Sequence, residues 1–356
     1  MLFPKKFLGI DVGTSYIKVV EISRFGSRKK LDNYGELSSS SIYRKTFRTF
    51  EKNTLFLLSK DISRAISAIV EEAKMKTKQV VFSIPDYSTF ITSFSLPPMT
   101  KEELNDAVRY EARLHVPLPL GEVDLDWQVI EGEPGDKKKS NLKILLAAVP
   151  NEVINQYQEI ASNAKLEMLA MEAEVFGLIR SLVDDEEKRP IAIVDIGAQS
   201  TTCNIVEKRI LKASHSFDAS ANELTRIISQ SLTINFEDAE KLKNKYGILQ
   251  NQEVLAGAKI REILLPLVDT MIREIENILN NFSQSRDREV QKIILAGGTA
   301  LLPGLKEYFA DRFKKEVEIA NPFSGIFYPP ILDDTLKKMG PGYAISVGMA
   351  LRGLEY

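Results

Sequence analysis

Phe7-Leu8-Gly9-Ile10-Asp11-Val12-Gly13-Thr14-Ser15-Tyr16-Ile17-Lys18-Val19-Val20-Glu21-Ile22 is the stretch on which the reading of this chain turns. An apolar, β-branched run reaches Asp11, a Gly-Thr-Ser turn follows, and a second such run leaves it. That order predicts strand, tight turn, strand. Gly13 supplies the backbone freedom that a sharp turn needs. The layout returns about half a chain later. Ile191-Ala192-Ile193-Val194-Asp195-Ile196-Gly197 is again a strand running into Asp-x-Gly, with a second strand through Cys203-Asn204-Ile205-Val206. A repeat of that length marks a duplicated domain and not a short solenoid unit.

Outward from these turns, strands and helices alternate. Ile62, Ala65, Ile66, Ile69, Val70 and Ala73 recur on one face of a helix predicted over 60–76. A strand at 80–84 stops at Pro85, and a β-branched and aromatic run at 89–96 is closed by Pro97-Pro98. Thr100-Lys101-Glu102-Glu103 has capping-box form and opens a helix to about His115. Two strands within 124–149 flank a polar loop. Helices are predicted at 151–164 and 172–183, and the charge run at 184–190 reads as a surface linker. In the second half, helices are predicted at about 219–232, 236–245 and 253–283, with a kink at Pro266. A strand at 292–296 then enters Gly297-Gly298-Thr299. The class is α/β or α+β, with two related lobes.

Composition removes several alternatives. The 356 residues carry 47 Lys+Arg against 49 Asp+Glu, a net charge of −2, which offers no electrostatic footprint for nucleic acid. A 44% hydrophobic share suffices for a sizeable core. Cys203, His115 and His215 are too few for a disulfide framework or a Cys/His metal cluster, and each reads as structural or surface. Trp127 and Phe94 read as packing residues or as the lining of a partner groove. No apolar run approaches the ~18–20 residues of a membrane span. The N-terminus lacks the apolar core of a secretory signal, so a cytoplasmic location is expected.

Four constellations can carry chemistry. Asp11, Gly13, Thr14, Ser15 and Lys18 form a turn whose N–H groups and hydroxyls converge on an anion, with Lys18 as a point charge and Asp11 placed to hold Mg²⁺ through water. Asp195, Gly197, Ser200 and Thr201 repeat the design, with Asp195 as a second carboxylate for that ion. Gly297-Gly298-Thr299, before Pro303-Gly304, allows close approach of a flat ring. Glu240 and Lys243 share a helix face and can meet ribose hydroxyls and a base edge. Read singly, each is also a plain hairpin, a strand-to-helix turn or an exposed ion pair.

Together and in this order, these elements resemble the actin/Hsp70/sugar-kinase ATPase superfamily: two phosphate loops, an adenosine loop and the Ala239-Glu240-Lys241-Leu242-Lys243 helix. Gly342-Tyr343-Ala344-Ile345-Ser346-Val347-Gly348-Met349-Ala350-Leu351-Arg352 looks like its closing helix. Within the superfamily the chain resembles the PilM family of type IV pilus assembly, a relative of the division protein FtsA. That likeness rests on Ser93-Phe94-Ser95-Leu96-Pro97-Pro98-Met99-Thr100, Glu102-Glu103-Leu104, Tyr110-Glu111-Ala112 and Val116-Pro117-Leu118-Pro119-Leu120, which look like the family's inserted subdomain. Glu172-Ala173-Glu174-Val175-Phe176-Gly177-Leu178 looks like its first connecting helix.

The resemblance implies an α/β, actin-like two-lobed fold built from duplicated RNase H-like domains. The first lobe would span 1–188 with an inserted partner-binding subdomain at about 85–149. The second would span 189–356, with a closing helix at 342–352 able to pack back on the first lobe. It implies a cytoplasmic ATP-binding scaffold, with Mg, at the type IV pilus inner-membrane platform. The partners implied are the N-terminal cytoplasmic tail of PilN and other pilus assembly proteins. That tail docks in the family as an extended peptide beside the insert, in a groove expected near 85–120. Membrane location would then be peripheral, through a partner. Ala198-Gln199 stand where some superfamily members have glycines. The water-orienting residue has Glu172 and Glu174 as candidates, so at most a slow Mg-dependent ATPase is expected. The alternatives are an FtsA-like filament-forming division protein, against which stands the chain's ending directly after the closing helix, and a small-molecule kinase of the same superfamily. The secretion relative GspL carries a membrane span that is absent here.

Overall fold

The computed structural model describes residues 4–42, 46–51, 54–135, 140–250, 255–286 and 288–356. Its first turn closes where Gly13 predicts. The Gly13 N–H donates to Tyr16 O at 2.9 Å. This folds β1 (Lys5–Val12) back on β2 (Tyr16–Phe25), with Asp11 opposite Lys18. β3 (Arg28–Ser38) continues the meander. A short helix α1 (Ser39–Ile42) and a hairpin of β4 (Arg48–Glu51) and β5 (Thr54–Leu57) follow. α2 (Ser59–Glu72) buries Ile62, Ala65, Ile66 and Ile69, the face its periodicity predicts. β6 (Gln79–Ile84) then pairs parallel with β1.

The insert is a three-stranded antiparallel sheet under one helix. β7 (Phe90–Leu96) and β8 (Val123–Glu131) flank β9 (Leu142–Pro150). α3 (Lys101–His115) begins at the expected capping box: Thr100 N–H donates to Glu103 Oε2 at 3.0 Å, and Glu103 N–H to Thr100 Oγ1 at 3.4 Å. Leu104, Val108 and Ala112 of α3 pack in one cluster with Phe94, Leu142, Ile144 and Leu146, and Trp127 lies at its margin. His115 stacks on Phe94 with ring centroids 4.9 Å apart.

α4 (Asn151–Asn163) leads to a departure from the sequence reading. A helix is expected from 172, but Glu167–Ala173 forms strand β10, and the helix α5 (Glu174–Leu182) begins only at Glu174. Glu-Met-Leu-Ala-Met-Glu-Ala is a run of good helix formers. Parallel pairing with the buried β6 satisfies its backbone and overrides that propensity.

The second half repeats the topology. β11 (Ile191–Ile196), β12 (Thr201–Glu207) and β13 (Ile210–Phe217) form an antiparallel meander. Helices α6 (Ala221–Leu232), α7 (Phe236–Tyr246) and α8 (Leu255–Arg286) follow, and α8 continues through Pro266. β14 (Lys292–Ala296) pairs parallel with β11, and after α9 (Leu305–Phe313), β15 (Glu316–Ile319) pairs parallel with β14. The order β13-β12-β11-β14-β15 matches β3-β2-β1-β6-β10 strand for strand and sense for sense. The Asp-x-Gly turn sits between the first two strands of each.

Two late elements cross back. β16 (Ile326–Phe327) joins the outer edge of β3. α10 (Asp333–Gly353) starts well before the expected 342. Pro341, which would ordinarily end a helix, lies inside it. Val347 and Ala350 of α10 pack in one cluster with Phe7 and Val20 of the first sheet. A separate core joins α5, α10, β11 and β14, through Val175, Leu178, Ile193, Ile294, Ala344 and Met349. No helix among the described residues is long and apolar enough to cross a membrane.

Candidate functional site

β1 and β11 both end at a cleft of about 710 Å³ between the two meanders. It is lined by Asp11, Gly13, Thr14, Ser15 and Lys18 from the first turn, and by Asp195, Gly197 and Ser200 from the second. Glu240, Lys243, Gly297, Gly298, Thr299 and Glu174 complete the set of predicted residues that it gathers. Two predicted residues lie elsewhere. Thr201 is fully buried, and its hydroxyl donates to Ala219 O. Neighbouring strand residues face opposite sides, so Thr202 lines the cleft instead. Glu172, the last residue but one of β10, is held away from the cleft by Arg180, whose Nη1 and Nη2 donate to its carboxylate at 2.5 and 2.9 Å.

The turns are tied down by their own backbones. Gly197 N–H donates to Ser200 O at 3.0 Å, as Gly13 does to Tyr16. Thr14 Oγ1 lies 3.4 Å from Gln199 Oε1, so the two turns meet across the cleft. Asp11 Oδ1 accepts from Ser83 Oγ at 2.8 Å. Lys18 Nζ donates to Gly342 O of α10 at 2.6 Å. Gly297 has φ of +84°, and a Cβ there would stand 2.5 Å from Asp195 Oδ1, so the turn admits only glycine. At Gly298 a Cβ would meet nothing within 4 Å, which leaves the turn open on that side.

On the second lobe, Lys243 is almost wholly buried. Its ammonium donates to Glu240 Oε2 at 2.6 Å, to Thr225 Oγ1 at 2.8 Å and to Ala221 O at 3.2 Å. Burial holds Lys243 below its ordinary pKa. Burial also acts to raise Glu240, but the Lys243 charge and its hydrogen bonds outweigh that and keep the carboxylate ionised.

Arg48 was not singled out in the sequence. The β4–β5 hairpin carries it into the cleft, where its Nη1 donates to Glu174 Oε1 at 2.7 Å and its Nε to Thr14 Oγ1 at 3.3 Å. No motif surrounds it. Its role comes from the hairpin's fold. Asp86, in the 3-10 turn after β6, was also missed. Its Oδ1 accepts from Val175 N–H at the start of α5, at 3.0 Å.

The cleft floor is over-supplied with carboxyls. Burial first, then the neighbouring Glu174 and Asp11 charges, push Asp195 up to about 7. Burial also raises Glu174, which the Arg48 charge only partly offsets. Asp86 is raised well above the carboxylate range, by burial and then by Glu174. Three carboxyls, Asp11, Glu174 and Asp195, line the cleft with two cations, Lys18 and Arg48, while Asp86 is buried behind the lining against the start of α5. Among the described residues no three His, Cys, Asp or Glu gather closely enough to ligate a metal directly.

A second groove, of about 820 Å³, lies between the insert and the first lobe. Trp127 and Asp126 of β8 line one side, Ala170 and Met171 of β10 the other, and Phe176, Arg180 and Arg352 its floor. β8 and β10 are each the outermost strand of their sheet among the described residues, so two strand edges border the groove. Glu172 sits here, between Arg180 and Arg352.

Comparison with known proteins agrees with this architecture. Cell division protein FtsA of Enterococcus faecalis is 20% identical over 355 residues, covering 89% of this chain and 78% of that one. FtsA of Enterococcus hirae is 22% identical with the same coverage. Among solved structures, a chain of a PilM-PilN type IV pilus biogenesis complex superposes with a TM-score of 0.83 at 22% identity, covering 98% of both chains. MreB5 of Spiroplasma citri bound to ADP gives 0.54 at 13% identity, over 98% of this chain and 95% of that one. The fold is therefore actin-like. The family model for type IV pilus assembly protein PilM matches residues 9–354. A match over nearly the whole chain, insert included, means that this protein belongs to the PilM family of type IV pilus assembly proteins.

Proposed function

We propose that the chain is a Mg-ATP-binding scaffold of the pilus assembly platform, held at the inner membrane through the N-terminal tail of a PilN-like protein. One observation carries the nucleotide half. Two glycine turns half a chain apart meet at Thr14 and Gln199, beneath a cleft that also collects Glu240, Lys243 and Gly298. Thr14, Ser15, Lys18, Gly197 and Ser200 hold phosphates, and Asp11 and Asp195 hold Mg²⁺ through water. Gly297, Gly298, Thr299 and Glu240 hold adenosine, and Lys243, whose three donors are taken by Glu240, Thr225 and Ala221 O, fixes Glu240 in that pocket. A bound Mg²⁺ supplies charge neutralisation for the phosphate oxygens. Of the two water-orienting candidates, the role goes to Glu174, which lines the cleft. Asp11→Ala with Lys18→Ala should abolish binding of a fluorescent ATP analogue, and unchanged affinity would remove this assignment.

The partner half rests on the groove between β8 and β10. An extended tail can add to a strand edge while its alternate side chains reach Trp127 and Phe176. The similar solved chain belongs to a PilM-PilN complex, which favours that partner. Titration of a synthetic PilN N-terminal peptide, with and without Mg-ATP, tests it. Absence of binding in both states rejects the partner reading. Similarity to FtsA favours one other reading, an ATP-dependent filament. Long polymers sedimenting with ATP, together with no peptide binding, would support that instead.

A further inference from the structure

Arg48 is a buried guanidinium in the cleft whose partners among the described residues occupy only two of its five donors. Its side chain and that of Glu174 are each 10% exposed. Nη1 donates to Glu174 and Nε to Thr14. The guanidinium lies 5.4 Å over the Tyr87 ring. A guanidinium carries five N–H donors in a planar fork, so Nη2 and the second Nη1 proton are without a hydrogen-bond partner among the described residues, in a side chain that lines the cleft. Arg48 is also mechanically joined to the first phosphate turn. Phe47 N–H donates to Thr14 O at 3.1 Å, and Ser39 N–H to Ser15 O at 2.8 Å, so the hairpin and the turn form one hydrogen-bonded unit.

We propose that Arg48 binds the terminal phosphate of a nucleoside triphosphate, and that it thereby distinguishes triphosphate from diphosphate. This rests on the nucleotide reading of the cleft. In that reading adenosine lies at Glu240, Lys243 and Gly298 on the second lobe, so the phosphate chain runs toward the β1–β2 turn. Arg48 stands on the first lobe beside that turn, touching Thr14 and the first residue of α5. A diphosphate ends short of it. The free edge of the guanidinium fork matches two phosphate oxygens, a pairing that a lysine cannot copy. Nη1 keeps Glu174 while it does so, and therefore holds that carboxylate beside the terminal phosphate. Arg48 is the ligand-binding residue here, and it positions Glu174.

The test is the affinity of the full chain, with Mg²⁺, for ADP and for a non-hydrolysable ATP analogue. Arg48→Ala should weaken the triphosphate analogue by about tenfold or more, as loss of a charge-assisted contact does. ADP affinity should stay within about twofold. Arg48→Lys should recover part of the loss. Arg48→Ala leaves Glu174 unpaired, so the pair Arg48→Ala with Glu174→Gln is measured beside it as a folding-competent form. ADP binding in each variant reports an intact site. Equal losses for both nucleotides, or none, would overturn the Arg48 assignment while leaving the nucleotide site standing. A wild-type chain that binds neither nucleotide would overturn the site reading, and the Arg48 assignment with it.

Discussion

Gly348 of α10 crosses Gly177 of α5 so closely that a Cβ on Gly348 would lie 2.0 Å from Gly177 O. The reverse view is similar, since a Cβ on Gly177 would lie 2.7 Å from Met349 Cε and 3.1 Å from Ile345 O. Both helices reach the cleft, α5 through Glu174 and α10 through Gly342. Backbone cannot give way as a flexible side chain can. Gly348→Ala should therefore cost about 3 kcal/mol, the upper end for overpacking. Urea unfolding would show a lower midpoint.

Asp195 makes the nucleotide-free protein pH-sensitive. Its pKa is near 4 unfolded and pushed up to about 7 when folded. Below both values the carboxyl is neutral in either state, and the shift carries no penalty. Between them the folded state binds the extra proton, so stability falls as pH rises toward 7 and stays low above it. Glu174 and Asp86 are shifted the same way and add to the slope. Asp195→Asn should raise the melting temperature at pH 7.5 and flatten its decline from pH 5. An unchanged profile would mean that the carboxyl is already ionised at low pH.

Lys243 depends on Glu240 for its charge partner. Removing that carboxylate leaves a buried ammonium with only Thr225 and Ala221 O as acceptors. Glu240→Ala should destabilise by about 2–3 kcal/mol, less than a wholly buried pair because Glu240 is partly exposed. Adding Lys243→Met should recover most of it. A double-mutant cycle by denaturant titration measures the coupling.

Trp127 of β8 lines the second groove while also packing at the margin of the insert's core. Trp127→Ala should weaken the PilN-type peptide by about 2 kcal/mol, roughly thirtyfold, as an aromatic anchor does. Nucleotide affinity should not change. Calorimetry on both ligands separates a groove effect from general unfolding.

The two Asp-x-Gly turns were legible because their signals are local. β-branched runs report strands, a glycine reports the turn, and the same pattern twice reports a duplicated unit. α3 was equally legible, since the capping box and the Leu104, Val108 and Ala112 spacing lie within one helix. β10 was not, because its residues favour helix and only pairing with β6 makes them a strand. That displaced Glu172 to the groove. Thr201 was misplaced by one residue, a slip that turns a strand side chain to the opposite face. Pro341 hid the first turns of α10, which packing carries through it.

The chain by itself determined most of the strands, turns and helices, β10 and the first turns of α10 apart, and that the unit occurs twice, because periodicity and turn chemistry act between neighbours. Only the tertiary structure decided that Arg48 stands beside Glu174 and Thr14, that Asp195 sits among carboxyls that raise it, and that Gly348 meets Gly177. Those relationships join residues far apart in sequence. They arise from sheet pairing and helix packing, and burial then gives the charges the strength that they lack in water.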